Sequence, residues 1–263
     1  MDTVSIDGLD VSFERVGAGP DVVLLHGYVG DGPVTWRPQL DALADQFRLV
    51  AWDAPGAGRS SDPPESFGIT GYADCLARFI EVVELDRPHL VGLSFGGALA
   101  LAFAHRHPAA ARSLVVVSGY AGWRGSLPTA VAEDRLQQAI RLSELSGERL
   151  AATLLPTMFD APPPSEVLAA FGDSLRKFHP GGFRAMAQAS AEDLCGALAD
   201  ITVPTLLVYG DRDVRAPIYV AEQLHAALPD STLVVLEGVG HVCNLEAPDE
   251  FNETLQSWLI GHP

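Results

Sequence analysis

Six stretches of the chain have runs of consecutive apolar positions at their centres: VVLLHG (22–27), FRLVAWD (47–53), RPHLVGL (87–93), RSLVVVS (112–118), PTLLVYG (204–210) and TLVVLEG (232–238). Continuous runs, as opposed to alternation of apolar and polar positions, predict parallel strands covered on both faces. Between them the period changes. Tyr72, Leu76, Phe79, Ile80 and Val83 recur at three- and four-residue spacing, which predicts a helix over 70–86 with one apolar stripe facing a sheet. Pro108 is expected to close the helix that follows Ser94. Strands alternating with helices predict an α/β fold with a doubly wound sheet.

One region breaks this alternation. Residues 120–187 contain no strand-like run, only helical segments punctuated by proline and glycine. A helical insertion after the sixth strand is expected to sit above the carboxyl ends of the strands, where open α/β sheets bind ligands. The predicted organisation is therefore a core of residues 1–119 and 188–263 with a helical cap of 120–187. The cap contains seven basic and seven acidic residues, so the chain's formal charge of −17 belongs entirely to the core.

Composition narrows the function classes. At 263 residues, 48% hydrophobic and 19% charged, the chain can bury a substantial core. Its acidity, with a pI near 4.7, excludes affinity for nucleic-acid phosphates. Lys177 is the only lysine, and no glycine-rich loop precedes it. Schiff-base and phosphate-loop chemistry are set aside accordingly. Cys75, Cys195 and Cys243 have no metal-like spacing and are expected to be buried free thiols in a reducing compartment. The acidic start MDTVSIDGLD lacks the basic and apolar regions of a signal peptide. No stretch reaches the ~20 apolar residues of a membrane helix. The expectation is a soluble cytoplasmic protein that binds neither membrane nor nucleic acid.

The chemistry starts at Gly92-Leu93-Ser94-Phe95-Gly96, which fits the G-x-S-x-G elbow and falls between a predicted strand and a predicted helix. Such a turn forces its serine into a strained backbone region, normally costing ~1–3 kcal/mol. The flanking glycines relieve crowding, and the turn lifts the hydroxyl clear of the sheet beside a helix N-terminus. A serine at its free pKa is a poor nucleophile and needs a base. Five of the eight histidines, His89, His105, His107, His225 and His262, lie at strand starts, helix ends or the terminus, where solvated roles are expected. His179 falls in the cap, and His26 is expected to brace its own loop. His241, in EGVGHVCNLEAP after the last strand, emerges at the same sheet edge as Ser94 and is the candidate base. Its acceptor is Asp211 or Asp213, in YGDRDVRAP after the preceding strand. An oxyanion hole needs backbone N–H donors. The Phe95 amide is one, and the loop HGYVG (26–30), at Tyr28, is expected to supply the other.

Taken together, HG at 26–27, DAPGAGRS at 53–60, GLSFGG at 92–97, PTLLVYGDRDVRAP at 204–217 and GVGHVCNLEAP at 238–248 resemble the α/β-hydrolase superfamily. The resemblance is to its small cap-bearing esterases, enol-lactonases and cofactor-free haloperoxidases. It implies a mostly parallel twisted sheet of about eight strands flanked by helices. It places the acid three residues after the strand-ending Gly210, at Asp213, and the second oxyanion donor at Tyr28. The chain order Ser94, Asp213, His241 is that of the superfamily. The resemblance also implies that Asp53 and Arg59 belong to a structural turn. Serine at 94 argues against epoxide hydrolases and haloalkane dehalogenases, and HGYVGDGP departs from the HGSGPG run of carbon–carbon bond hydrolases.

The expected reaction is hydrolysis of a small, largely apolar ester or lactone through an acyl-enzyme, without metal or organic cofactor. Trp123, Met158, Phe159, Phe183 and Met186 are candidate pocket residues, within a wider set of cap apolar residues that includes Phe171. The alternatives keep the fold and change the use: perhydrolysis, a lyase or cyclase reaction, or ligand reception without turnover. Oligomeric state has no signature in the sequence.

Overall fold

A computed structural model describes residues 1–263. The strands are β1 Asp2–Ile6, β2 Leu9–Val16, β3 Asp21–Leu25, β4 Arg48–Trp52, β5 His89–Leu93, β6 Leu114–Val117, β7 Thr205–Gly210 and β8 Ser231–Leu236. They form one sheet in the order β1-β2-β4-β3-β5-β6-β7-β8. β2 pairs antiparallel with β1 and β4, and every other pairing is parallel. The apolar runs explain the interior of the parallel part, since every residue of β3, β5, β6 and β7 is buried; β8, expected to be covered on both faces, lies at the sheet edge and has only Leu236 buried. The N-terminal hairpin was not among the predicted strands. Its signal is Asp7-Gly8, both at positive φ (48° and 89°), which suits a two-residue type I′ turn between twisted strands.

The chain steps from β3 outward to β4, then returns to the other side of β3 for β5 and continues to β8. The crevice at the carboxyl ends of β3 and β5 is thus a topological switch point, the usual ligand position in such sheets. The predicted helix after β4 spans Gly68–Val82, with Tyr72, Leu76, Phe79 and Ile80 buried. It stops short of 86 as the backbone turns left-handed at Glu84 and Arg87. The helix after Ser94 spans Phe95–Arg106 and ends before Pro108.

Between β6 and β7 the chain is helical throughout: Trp123–Ser126, Thr129–Leu142, Gly147–Leu154, Ser165–Arg176 and Pro180–Ser190. This layer docks on the loops of the sheet's carboxyl edge. Gly56 (φ 90°) and Gly182 approach so closely that a Cβ on either would overlap the other's backbone. His179 Nδ1 meets Asp62 Oδ1 at 2.7 Å, and Val242 N–H donates to Met158 O at 3.0 Å.

Two expectations are corrected. His89 is not solvated: it is fully buried, with Nδ1 2.8 Å from Ser113 Oγ. Burial pushes its pKa down to about 4. It stands at the head of β5 and shares Ser113 Oγ with the Trp258 indole, which donates to the same oxygen at 3.0 Å. Cys75 and Cys243 are buried, but Cys195 is exposed, because the turn after Leu194 carries it outside the core. No helix is long and apolar enough to cross a membrane.

Candidate active site

Ser94 follows β5 directly and has φ 54° and ψ −107°, a strained conformation for a residue with a Cβ. Its amide is anchored to Val117 O at 2.8 Å. The flanking glycines are steric requirements of this turn. A Cβ on Gly92 would overlap the Gly96 carbonyl, and one on Gly96 would overlap Leu25 O. Phe95 begins the helix, so its N–H has no partner within it. Its ring is buried against Tyr72, with centroids 5.1 Å apart.

The β7 and β8 ends supply the other two groups. Gly210 ends β7, and a Cβ there would overlap Val239 O; glycine thus lets the His241 loop cross close to the strand. Glu246 holds that loop, accepting from Gly240 N–H at 2.9 Å while also accepting from Ala161 N–H at 2.7 Å. Asp213 is fixed by its own turn, in which Oδ1 accepts from Arg215 N–H at 2.7 Å and Ala216 N–H at 2.8 Å. Its Oδ2 lies 2.7 Å from His241 Nδ1. Of the two candidate acids it is Asp213 that meets His241; Asp211 Oδ1 instead accepts from Gly238 N–H at 2.6 Å. An ionised carboxylate only accepts, so His241 carries its proton on Nδ1 and keeps the Nε2 lone pair free. Burial lowers the His241 pKa, and Asp213's charge and hydrogen bond oppose this without overcoming it. Burial favours the neutral Asp213 carboxyl, but the His241 charge and hydrogen bond with the two backbone amides outweigh it, so its pKa lies below the usual carboxylate range.

Ser94 and His241 line one cavity of about 20 Å³, together with Gly27, Tyr28, Val29, Leu93, Met158, Phe171 and Val242. That volume holds about one water molecule. Of the candidate pocket residues, Met158 lines this cavity. Trp123 and Phe183 stand behind it, flanking the Tyr28 ring at 5.7 and 5.1 Å. Phe159 packs on Phe171 at 5.8 Å, and Met186 is buried in the helix Pro180–Ser190. Val29, Leu93 and Val242 were not singled out from the sequence. Each adjoins a candidate residue in the chain, which is the signal that was available.

The neighbouring loop behaves as expected of a brace. His26 is buried, with Nδ1–H donating to Gly27 O at 2.6 Å and Nε2 accepting from Ala54 N–H at 2.9 Å. Both ring nitrogens are engaged, and burial keeps the ring neutral. Asp53 accepts from Gly32 and Arg59 N–H, each at 3.0 Å. Nowhere do three or more His, Cys, Asp or Glu side chains converge as metal ligands do.

A sequence model of the alpha/beta hydrolase fold matches residues 20–248. The chain belongs to the alpha/beta hydrolase family. Among relatives of this family, a putative carbamate hydrolase, RutD, of Serratia proteamaculans is 30% identical over 92% of this chain and 91% of its own length. A malate-bound thermophilic esterase from Thermogutta terrifontis is 27% identical and covers 99% of this chain and 97% of its own, with a TM-score of 0.88. The enol-lactonase of Burkholderia xenovorans LB400 shares the hydrolase fold at a TM-score of 0.87, over 98% of this chain and all of its own, with 24% identity.

Proposed function

We propose that this alpha/beta hydrolase cleaves a carboxylic ester or lactone through an acyl-enzyme, with Ser94 as nucleophile, His241 as base and Asp213 as its acceptor. The observation that carries the reading is the 2.7 Å bond from His241 Nδ1 to Asp213, which leaves Nε2 free on a ring that shares its cavity with Ser94. Neutral His241 takes the Ser94 proton as the oxygen attacks the carbonyl carbon. The Phe95 and Tyr28 amides hold the oxyanion, and His241 then returns the proton to the leaving alcohol. Water, deprotonated by the same ring, releases the acid and restores Ser94. Residues 120–187 act as the cap over this site, with 1–119 and 188–263 as the core. Esterase and lactonase relatives support a small-molecule substrate. Carbamates, attacked by the same serine chemistry, are the second reading, favoured by the relatives named as putative carbamate hydrolases.

The test is turnover of 4-nitrophenyl esters, aryl carbamates and lactones by the wild type and by Ser94→Ala. Expected is ester or lactone turnover lost with the hydroxyl. Turnover surviving the substitution would remove the acyl-enzyme.

A further inference from the structure

A second cavity, of about 200 Å³, lies on the other side of Tyr28, which lines both. Two guanidinium groups from separate elements line it: Arg135 of the helix Thr129–Leu142, and Arg215 two residues after Asp213. Both side chains are half-buried. Arg215 donates from Nη1 to Thr157 Oγ1 at 2.9 Å and from Nη2 to Tyr28 Oη at 2.7 Å. Arg135 donates from Nη1 to Tyr120 Oη at 2.7 Å and from Nη2 to Arg215 O at 3.0 Å. All four acceptors are neutral oxygens.

Arg135 and Arg215 are two of the eight arginines, among sixteen, that form no ion pair, and they stand together in a cavity lined by no acidic residue. The chain has 34 acidic and 17 basic residues, and Arg37, Arg48, Arg78, Arg106, Arg124, Arg176, Arg184 and Arg212 all form ion pairs. Neither Arg135 nor Arg215 has a carboxylate oxygen within 4.0 Å of its guanidinium. Asp213, the adjacent acid, has its oxygens engaged by His241 and by the Arg215 and Ala216 amides. Two like charges facing one cavity repel each other. Each guanidinium has five N–H donors, so several remain for a ligand. Planar guanidinium groups match the two oxygens of a carboxylate. The remaining wall includes Ala139, Leu142 and Leu154, which suits the methylenes of a short chain. Both guanidinium charges also act on His241, disfavouring its protonation, as expected of groups near the reaction centre.

We propose that Arg135 and Arg215 form a carboxylate-binding subsite, so that the preferred substrates are esters or lactones carrying a carboxylate a short apolar chain away from the scissile carbonyl. The inference rests on Ser94 being the nucleophile. Tyr28 separates the two cavities, and its hydroxyl is held by Arg215. A substrate that spans both replaces that hydroxyl with its carboxylate, and the Tyr28 ring moves aside.

The test compares mono-4-nitrophenyl esters of adipic, pimelic and suberic acids with methyl-ended 4-nitrophenyl esters of the same lengths. Expected is a preference in kcat/KM of tenfold or more for the acid-ended ester at one or more lengths. Arg135→Gln should reduce that preference at least tenfold, mainly through KM, and Arg135→Lys should restore part of it. Turnover of the methyl-ended esters without any such preference would overturn the subsite and leave the hydrolase reading intact. Loss of turnover of both series would overturn the hydrolase reading. The subsite is then judged by calorimetry with adipate, expected to bind the wild type and to bind Arg135→Gln at least tenfold more weakly. Equal binding to both proteins, or inorganic phosphate binding as tightly as adipate, would overturn it. Circular dichroism and melting temperature establish that Arg135→Gln is folded.

Discussion

Two ends of one sheet carry nearly the same parts and use them differently. At the β3 and β4 ends stand His26 and Asp53; at the β8 and β7 ends stand His241 and Asp213. All four are buried, and each aspartate accepts from two backbone amides. Their acidities nevertheless diverge. Burial raises Asp53 to about 6, whereas Asp213, equally desolvated, is held below the usual range by His241. The histidines differ in what remains open. His26 has both nitrogens occupied by backbone, while His241 uses one on Asp213 and turns its ring to the Ser94 cavity. Burial and backbone bonds make a rigid turn; a base also needs an unsatisfied nitrogen and a charged neighbour to stabilise the imidazolium.

The largest test of this contrast exchanges the histidines for alanine. His241→Ala is expected to lower kcat by about 10⁴- to 10⁶-fold with little change in melting temperature. His26→Ala is expected to lower the melting temperature and cost far less in kcat. The reverse pattern would dissolve the comparison. Next come the acids. Asp213→Asn should lower kcat about 10⁴-fold by stabilising the wrong imidazole tautomer. Asp53→Asn should leave kcat within about tenfold and cost about 1–3 kcal/mol of stability, since one backbone amide loses its acceptor.

A smaller effect is read from pH. In the proposed mechanism acylation needs neutral His241, so kcat/KM should rise with pH as the ring loses its proton. Because burial lowers its pKa, the midpoint should fall below the ordinary 6.5. Asp213 raises that midpoint, while Arg215 and Arg135 lower it, so Arg135→Gln should move it upward. A midpoint above 6.5 in the wild type would contradict the assignment. The smallest effect concerns His89, buried without a catalytic neighbour. Between pH 6.5 and about 4 the unfolded chain binds a proton that folded His89 refuses, so stability should fall by roughly 3 kcal/mol as pH drops through that window. Urea unfolding of wild type and His89→Gln at pH 4.5 and 7 checks it: the variant should lose less on acidification.

The parts of the fold that were legible are those dictated locally. Six parallel strands announced themselves by their apolar runs, five because strands covered on both faces must be continuously apolar and β8 although its edge position leaves only Leu236 buried; the elbow was legible because its glycines are sterically required. Ser94, Asp213 and His241 each follow a readable strand end, so their emergence at one edge could be inferred. The hairpin β1–β2 was missed because its strands, partly exposed, carry no continuous apolar run; Asp7-Gly8 marks its turn. His89 was misread because its burial depends on Ser113 and Trp258, remote in the chain. The small cavity at Ser94 and the arginine pair arise where helices dock onto loops, a tertiary event with no period in the sequence. Arg215 lay two residues from Asp213, but its importance emerges only beside Arg135.

The central claim is that Ser94 is the nucleophile of an alpha/beta hydrolase, and covalent labelling tests it most directly. The protein would be treated with a fluorophosphonate and the adduct mapped by mass spectrometry. The account predicts one phosphonyl group, on the peptide containing Ser94, absent from Ser94→Ala and formed much more slowly in His241→Ala. A stoichiometric adduct on another residue, or labelling that persists in Ser94→Ala, would contradict it.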